Sequence, residues 1–180
     1  MTEAEVILRI ALYYLKNHLT DEDVYVSIDG AHVKIGSTCH FDIQLFLKQN
    51  GCIYVSEDLE RWQGEYKVMG SEHNLIISST PGVGDVKVHL EEGKELLIEA
   101  KKGKTNKSGQ EYVLMREAIG QLMTSDRWTE STIPVVAVPY SEKSYELAER
   151  WSKVAQIRRI GIGFMLVRED GVIEWVGYNR

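Results

Sequence analysis

Three charged residues, Asp85, Glu99 and Lys101, have types and spacing that suit metal-ion chemistry. Asp85 opens one apolar segment, and Glu99 and Lys101 alternate with apolar residues at the end of the next segment, which begins at Leu96. Because successive side chains of a strand point to opposite faces, Glu99 and Lys101 emerge from the same face. A polar turn at 91–94 would pair the two segments as antiparallel strands and bring Asp85 beside them. Two carboxylates and an ammonium group in this arrangement would hold a hard divalent cation and activate a water molecule.

The solvated face of an edge strand is the alternative interpretation, because Glu and Lys commonly alternate with apolar residues there. Three neighbouring features favour a site. Asp85 stands at the mouth of a paired strand, the run Leu96-Leu97-Ile98 is apolar enough for a central strand, and a basic stretch at 101–104 follows directly. We therefore predict that the three charged residues meet at one end of a sheet.

The order of these residues resembles the PD-(D/E)XK, or restriction endonuclease-like, nuclease superfamily. Gly84-Asp85, then Glu99-Ala100-Lys101, and then a helix bearing Glu117-Ala118-Ile119-Gly120-Gln121-Leu122 follow in the order typical of that superfamily, and the resemblance covers about 75–167. Gly84 stands where the first motif usually has proline. The resemblance implies a Mg²⁺-dependent endonuclease, with Mn²⁺ as a substitute, that hydrolyses phosphodiester bonds and leaves a 5′-phosphate.

The resemblance also implies a role for each residue of the site. Asp85 and Glu99 would be metal ligands, and the Ala100 carbonyl would add a third. Lys101 would position or polarise the attacking water, and Gln121 would support the site from the following helix. Some members draw a further acid from the first helix, which makes Glu3 or Glu5 a minor candidate.

A cluster of lysines follows the predicted site. We expect Lys102, Lys104 and Lys107, beside Lys101, to contact phosphates, although a solvated loop before a helix would have the same composition. The net charge of −6 argues against a protein that coats nucleic acid through bulk electrostatics. It does not argue against an enzyme, because phosphate contacts need only a local positive surface.

Two capping boxes predict where helices begin. Thr2-Glu3-Ala4-Glu5 predicts a first helix to about Asn17, in which Glu5 is more simply a cap than a catalytic acid. Ser108-Gly109-Gln110-Glu111 predicts a helix that starts near Gly109, with Gln121 on a stripe beside the core-facing one. Gly120 would let this helix approach the sheet closely, and the alternative for Gln121 is an ordinary exposed residue.

The whole chain is predicted to form one α/β domain with a central mixed sheet flanked by helices. Its 180 residues, 43% hydrophobic, suffice for one core, with a motif core at about 75–167 and an N-terminal helical and hairpin extension at 1–74. In that extension, Asp29-Gly30 predicts a hairpin between strands 24–28 and 32–35, and a helix is expected at 39–49. A terminal hairpin is expected to turn at Asp170-Gly171.

The sequence also bears on compartment and partners. No apolar run approaches the roughly 20 residues that span a bilayer, and the first residues are acidic, so we expect a cytoplasmic protein without a membrane partner. Cys39 and Cys52 are not spaced as a metal pair. We expect DNA as the substrate and a homodimer as the assembly, because two strands are most simply cut by a twofold arrangement. An RNA nuclease, and a non-catalytic nucleic-acid or protein-binding module that keeps the nuclease fold, are the alternatives.

Overall fold

A large β-sheet with helices on both faces organises the chain. The computed structural model describes residues 1–30, 33–35, 38–55, 62–103 and 110–177. The strands are β1 (Val24–Ser27), β2 (Lys34–Ile35), β3 (Thr38–Cys39), β4 (Cys52–Tyr54), β5 (Gly64–Val68), β6 (Asn74–Ser78), β7 (Val86–His89), β8 (Glu95–Ala100), β9 (Thr132–Pro139), β10 (Gly163–Val167) and β11 (Ile173–Val176). The helices are α1 (Glu3–Lys16), α2 (Ile43–Gln49), α3 (Gln110–Thr124), α4 (Glu142–Ser152) and α5 (Ala155–Ile160).

Nine of these strands form one mixed sheet in the order β11-β10-β9-β8-β7-β1-β6-β5-β4, and β2 and β3 pair separately. The predicted α/β domain with a central mixed sheet flanked by helices is confirmed. The segment 1–74 contributes β1, β4 and β5 to the same sheet, with β1 between β7 and β6.

Strand β8 is covered on both faces, which explains its apolar sequence. Leu96, Ile98 and Ala100 belong to the core that α1 covers, whereas Leu97 belongs to the core beneath α3 and α4. Alternating residues of one strand therefore fill two separate cores. Glu99 follows Leu97 on the α3 side, where the second core ends.

Strand directions place several strand ends together. β8, β9 and β10 run parallel to one another, and β1 runs parallel to β6. β7 is antiparallel to both β1 and β8. As a result, the carboxyl ends of β1, β6, β8, β9 and β10 lie at the same end of the sheet as the amino end of β7.

The first helix begins where its capping box predicts. The Thr2 side-chain oxygen accepts a hydrogen bond from the Glu5 backbone N–H at 3.2 Å. Glu5 turns its own carboxylate to Arg9, at 2.8 Å. Thr2 therefore caps the helix as the capping box predicts. The Glu5 side chain instead forms an i,i+4 ion pair with Arg9.

The predicted hairpin at Asp29-Gly30 is wrong. β1 pairs with β6 and β7, while β2 pairs with β3. A type I′ turn needs positive φ at both central residues, and Gly30 is not among the glycines with positive φ. The apolar residues of β1 find more burial between two central strands than a local partner would offer, so tertiary packing overrides the turn signal. Ala31 and His32 lie outside the described residues.

Three other local predictions are resolved by the structure. The helix expected at 39–49 begins only at Ile43, because Asp42 caps it by accepting the Leu45 N–H at 2.9 Å. Gly120 is exposed, and a Cβ there would meet no atom within 4 Å, so it is not a point of close approach to the sheet. The terminal hairpin is confirmed by the antiparallel pairing of β10 with β11. Ser108 and Gly109 lie outside the described residues.

Within the described part of the chain, no helix combines the length and apolar character needed to cross a lipid bilayer.

Gly84, immediately before Asp85, offers a test of how the amino end of β7 is held. Its φ is +80°, and a Cβ would lie 2.6 Å from Leu97 Cδ1 in the core. Gly82 has a similar φ of +75° but open space around it. We expect Gly82→Ala to lower the free energy of unfolding by about 1 kcal/mol, from backbone strain alone. Gly84→Ala should lower it by about 2–4 kcal/mol, because strain and overpacking act together.

Urea denaturation of the two variants measures this difference. Equal losses of stability would show that Leu97 moves aside without cost and that Gly84 is needed only for its φ.

Candidate active site

The pairing of β7 with β8 brings Asp85 and Glu99 together. Val86 lies opposite Ile98 in the ladder, and the Asp85 N–H donates to the Ile98 carbonyl at 3.0 Å. The Asp85 side chain continues the ladder, since its Oδ2 accepts a hydrogen bond from the Ala100 N–H at 2.7 Å. The two carboxyl groups also share a hydrogen bond. The two predicted acids therefore form a pair at the end of two central strands.

The Ala100 carbonyl faces the same side as Asp85. The N–H and C=O of one strand residue point to the same neighbouring strand. The Ala100 N–H points towards Asp85, whereas the Lys101 N–H donates to Ala137 on β9 at 2.9 Å. The Ala100 carbonyl is thus directed to the Asp85 side of β8.

Lys101 projects from the same face as Glu99 and is buried beneath α3. Its side chain is 6% exposed, and its Nζ lies 3.4 Å from Oε1 of Glu117. The charge of Lys101 also acts on both Asp85 and Glu99. The ammonium group therefore interacts both with the carboxyl pair and with a third acid, on α3.

Gln121 lies one helical turn beyond Glu117, is exposed, and lines the cleft that contains the carboxyl pair. This cleft has a volume of about 760 Å³. The residues that line it are Ser27, Asp29, Gly30, Ser79, Thr80, Pro81, Gly82, Gly84, Asp85, Glu99, Gln121, Thr124, Ser125 and Asp126. Gln121 therefore borders the cleft from α3.

The lining of the cleft is acidic. It includes four carboxyl groups and several hydroxyl groups, and no Lys or Arg is among the described residues that line it. An anion entering this space meets negative charge on several sides. A divalent cation suits the lining better than a bare phosphate does.

Glu3 and Glu5, the two minor candidates, separate clearly in the structure. The charge of Glu3 acts on both Asp85 and Glu99. Glu5 instead binds Arg9 through its Oε1. Glu3, in the first turn of α1, is therefore the acid of the first helix that faces the site.

Burial and mutual repulsion change the titration of the carboxyl pair. The pKa of Asp85 is raised to about 8, mainly by burial and also by the charge of the neighbouring Glu99. The hydrogen bond from the Ala100 N–H acts in the opposite direction and lowers this pKa. Burial also raises the pKa of Glu99, while Lys101 and the hydrogen bond with Asp85 oppose the change. Near neutral pH the pair therefore holds a proton between its two carboxyl groups.

Of the three lysines expected to contact phosphates, the structure describes one. Lys102 is exposed and lines a separate cavity of about 660 Å³ with Arg168, rather than the cleft with Asp85. Lys104 and Lys107 lie outside the described residues.

The sequence did not predict the contact between Glu117 and Lys101. Its signal in the sequence is the position of Glu117 four residues before Gln121, which places both on one side of the predicted helix. Among the described residues, no set of three or more His, Cys, Asp or Glu side chains is arranged to hold a metal ion. The candidate ligands are thus the carboxyl pair and a backbone carbonyl.

No protein-family model matches this chain, and no curated protein matches it either. The chain is similar to the crystal structure of an XisH family protein from Nostoc punctiforme PCC 73102, at 17% sequence identity and a TM-score of 0.34. The similarity covers 74% of this chain and 94% of that chain. A likeness of this extent says nothing about what the chain does.

The raised pKa of Asp85 predicts that stability falls as pH rises. From its ordinary value of 3.8 up to about 8, the folded state holds a proton that the unfolded state has released. The free energy of unfolding should therefore decrease across this interval. Asp85→Asn keeps the acceptor for the Ala100 N–H but cannot ionise, so it should flatten the decrease.

Urea denaturation in EDTA at a series of pH values measures this effect. Asp170→Asn is the control, because the exposed Asp170 accepts the Val172 N–H in a turn far along the chain. An unchanged slope in Asp85→Asn would contradict the shared proton.

Proposed function

We propose that this protein is a Mg²⁺-dependent nuclease that hydrolyses phosphodiester bonds, with DNA as its substrate. The observation that carries the proposal is the half-buried pair Asp85 and Glu99, with Lys101 on the same strand face, at the end of two central strands. Their order in the chain also resembles the PD-(D/E)XK superfamily. The acidic cleft that contains them adds support, because phosphates can approach it only if a cation neutralises the carboxylates.

The residues present fit a hard divalent cation. Two carboxyl groups that share one proton provide oxygen ligands and lose the proton when a cation replaces it. Asp85 and Glu99 would hold the ion, with the Ala100 carbonyl as a further ligand and Glu3 as an additional nearby acid. When bound, the ion would supply Lewis acidity and lower the pKa of water.

Other groups of the chain would orient the attacking water and contact the substrate. Lys101 would orient the attacking water through its ammonium group and offset the negative charge that develops on the phosphate. Gln121 and Thr124, at the edge of the cleft, would contact the substrate backbone through neutral polar groups. The hydrogen bond from the Ala100 N–H would keep the Asp85 carboxyl group in place during the reaction.

A binding module that keeps this arrangement without catalysis is the competing function. Such a module has no need to bury two acids where phosphates approach, and the desolvation that raises both pKa values opposes folding at neutral pH. The carboxyl pair therefore favours the enzyme.

Metal binding should depend on both members of the carboxyl pair. Asp85→Asn or Glu99→Gln removes a charge from the ligand set with little change of shape, so Mg²⁺ affinity and cleavage should fall together. Glu95→Gln is the matched control, because Glu95 lies on the same face of β8 but binds Lys87, at 2.7 Å. Calorimetry with Mg²⁺ and Mn²⁺, at a pH above 8 and at neutral pH, measures the affinity. Unchanged affinity in Asp85→Asn would refute the metal site.

Cleavage should depend on Lys101 in a different way. Lys101→Ala should lower the rate by about 10²–10³, the typical cost of losing a group that stabilises transition-state charge, while Mg²⁺ still binds. The assay uses supercoiled, linear, branched and single-stranded DNA, and RNA, each with Mg²⁺, Mn²⁺ or EDTA. Cleavage by Lys101→Ala at the parent rate would overturn this role. Tight binding of nucleic acid without any cleavage by the parent would favour the binding module.

A further inference from the structure

The ion pair between Lys101 and Glu117 joins the end of β8 to helix α3. The Lys101 side chain is 6% exposed and that of Glu117 is 54% exposed, and the Nζ and Oε1 atoms are 3.4 Å apart. The pair is thus unlike an exposed surface ion pair, since its cationic end is enclosed by the fold. We propose that Glu117 is a positioning residue that holds the Lys101 ammonium group away from the metal ligands. This inference rests on the proposed nuclease function.

The charges around Lys101 define what Glu117 has to do. Asp85 and Glu99 attract the ammonium group, and so does Glu117, whose carboxylate on α3 lies within 3.4 Å of it. Lys is a point charge on a flexible four-carbon stem, so its position depends on which acids surround it. Without Glu117, Lys101 loses this partner, and the carboxyl groups whose charges still interact with it include the two that would bind the cation. The ammonium group would then compete with the cation for these oxygens.

The backbone at Lys101 and helix α3 are both attached to the sheet. The Lys101 N–H donates to Ala137 at 2.9 Å, which ties the end of β8 to β9. α3 packs on the same two strands through Met115, Ala118 and Leu122. Glu117 projects from the exposed side of this helix, so its replacement removes a charge without opening the core.

Glu117 therefore has two expected effects, both of which act through Lys101. It keeps the carboxyl pair available to a cation, and it keeps the ammonium group at a distance suited to orienting water. A residue with only a structural role would change neither the metal affinity nor the turnover of the folded protein.

The experiment compares Glu117→Gln with Glu149→Gln. Glu149 is the matched control, since it is a helical Glu on α4, 52% exposed, whose Oε1 lies 3.2 Å from Lys153 Nζ. Mg²⁺ affinity is measured by calorimetry and cleavage by kcat and KM for DNA. We expect Glu117→Gln to weaken Mg²⁺ binding and to lower kcat, each by about ten-fold, the lower end of what loss of a supporting partner costs at a metal site. KM for DNA should change little, and Glu149→Gln should match the parent.

A double-mutant cycle then tests whether Glu117 acts through Lys101. In the Lys101→Ala background, Glu117→Gln should have no further effect on Mg²⁺ affinity or on kcat, because no ammonium group is left to compete. Glu117→Asp, which keeps the charge, should recover part of both losses. Thermal unfolding of each variant confirms that it is folded.

If the parent protein cleaves DNA, two results would overturn the role of Glu117 and leave the proposed function intact. One is a Glu117→Gln protein that equals Glu149→Gln in metal affinity and kcat. The other is an undiminished effect of Glu117→Gln in the Lys101→Ala background. A parent protein that neither binds Mg²⁺ nor cleaves nucleic acid would overturn the proposed function, and the role of Glu117 with it.

Discussion

The hydrogen bond from the Ala100 N–H to Asp85 Oδ2, at 2.7 Å, is the contact on which the rest of the site depends. It holds an acid that precedes β7 against the end of β8, where Glu99 projects from the same face. Gly84 makes this approach feasible, because any larger residue would meet Leu97 in the core. A backbone donor thus stabilises a carboxyl group in a place where burial and a second acid both disfavour its charge.

Charge balance links the elements that surround this pair. Asp85 immediately precedes β7, Glu99 lies on β8, Glu3 on α1 and Glu117 on α3. The charge of Lys101 interacts with Asp85, Glu99 and Glu117. The acids outnumber the single enclosed ammonium group, so the metal-free site keeps a proton on the carboxyl pair. A divalent cation would replace that proton and relieve the same repulsion. The excess of negative charge therefore favours cation binding at the same site as the proposed phosphodiester hydrolysis.

Much of the fold followed from local patterns. The apolar run of β8 predicted a central strand, and Thr2 predicted the start of α1, because burial periodicity and capping depend on residues close in sequence. The hairpin at Asp29-Gly30 failed for the opposite reason. Its turn signal is local, but the partners of β1 are β6 and β7, which lie about fifty and sixty residues further along the chain. Long-range burial decided between these two pairings.

The sequence by itself determined which chemical groups the site contains and that Glu99 and Lys101 share a face, since strand alternation needs no distant partner. Tertiary structure alone decided their surroundings. It placed Glu3 rather than Glu5 towards the carboxyl pair, set Glu117 against Lys101, and buried Asp85 enough to raise its pKa to about 8. These properties depend on desolvation and on charges from separate elements, and both arise only when helices α1 and α3 pack on the sheet.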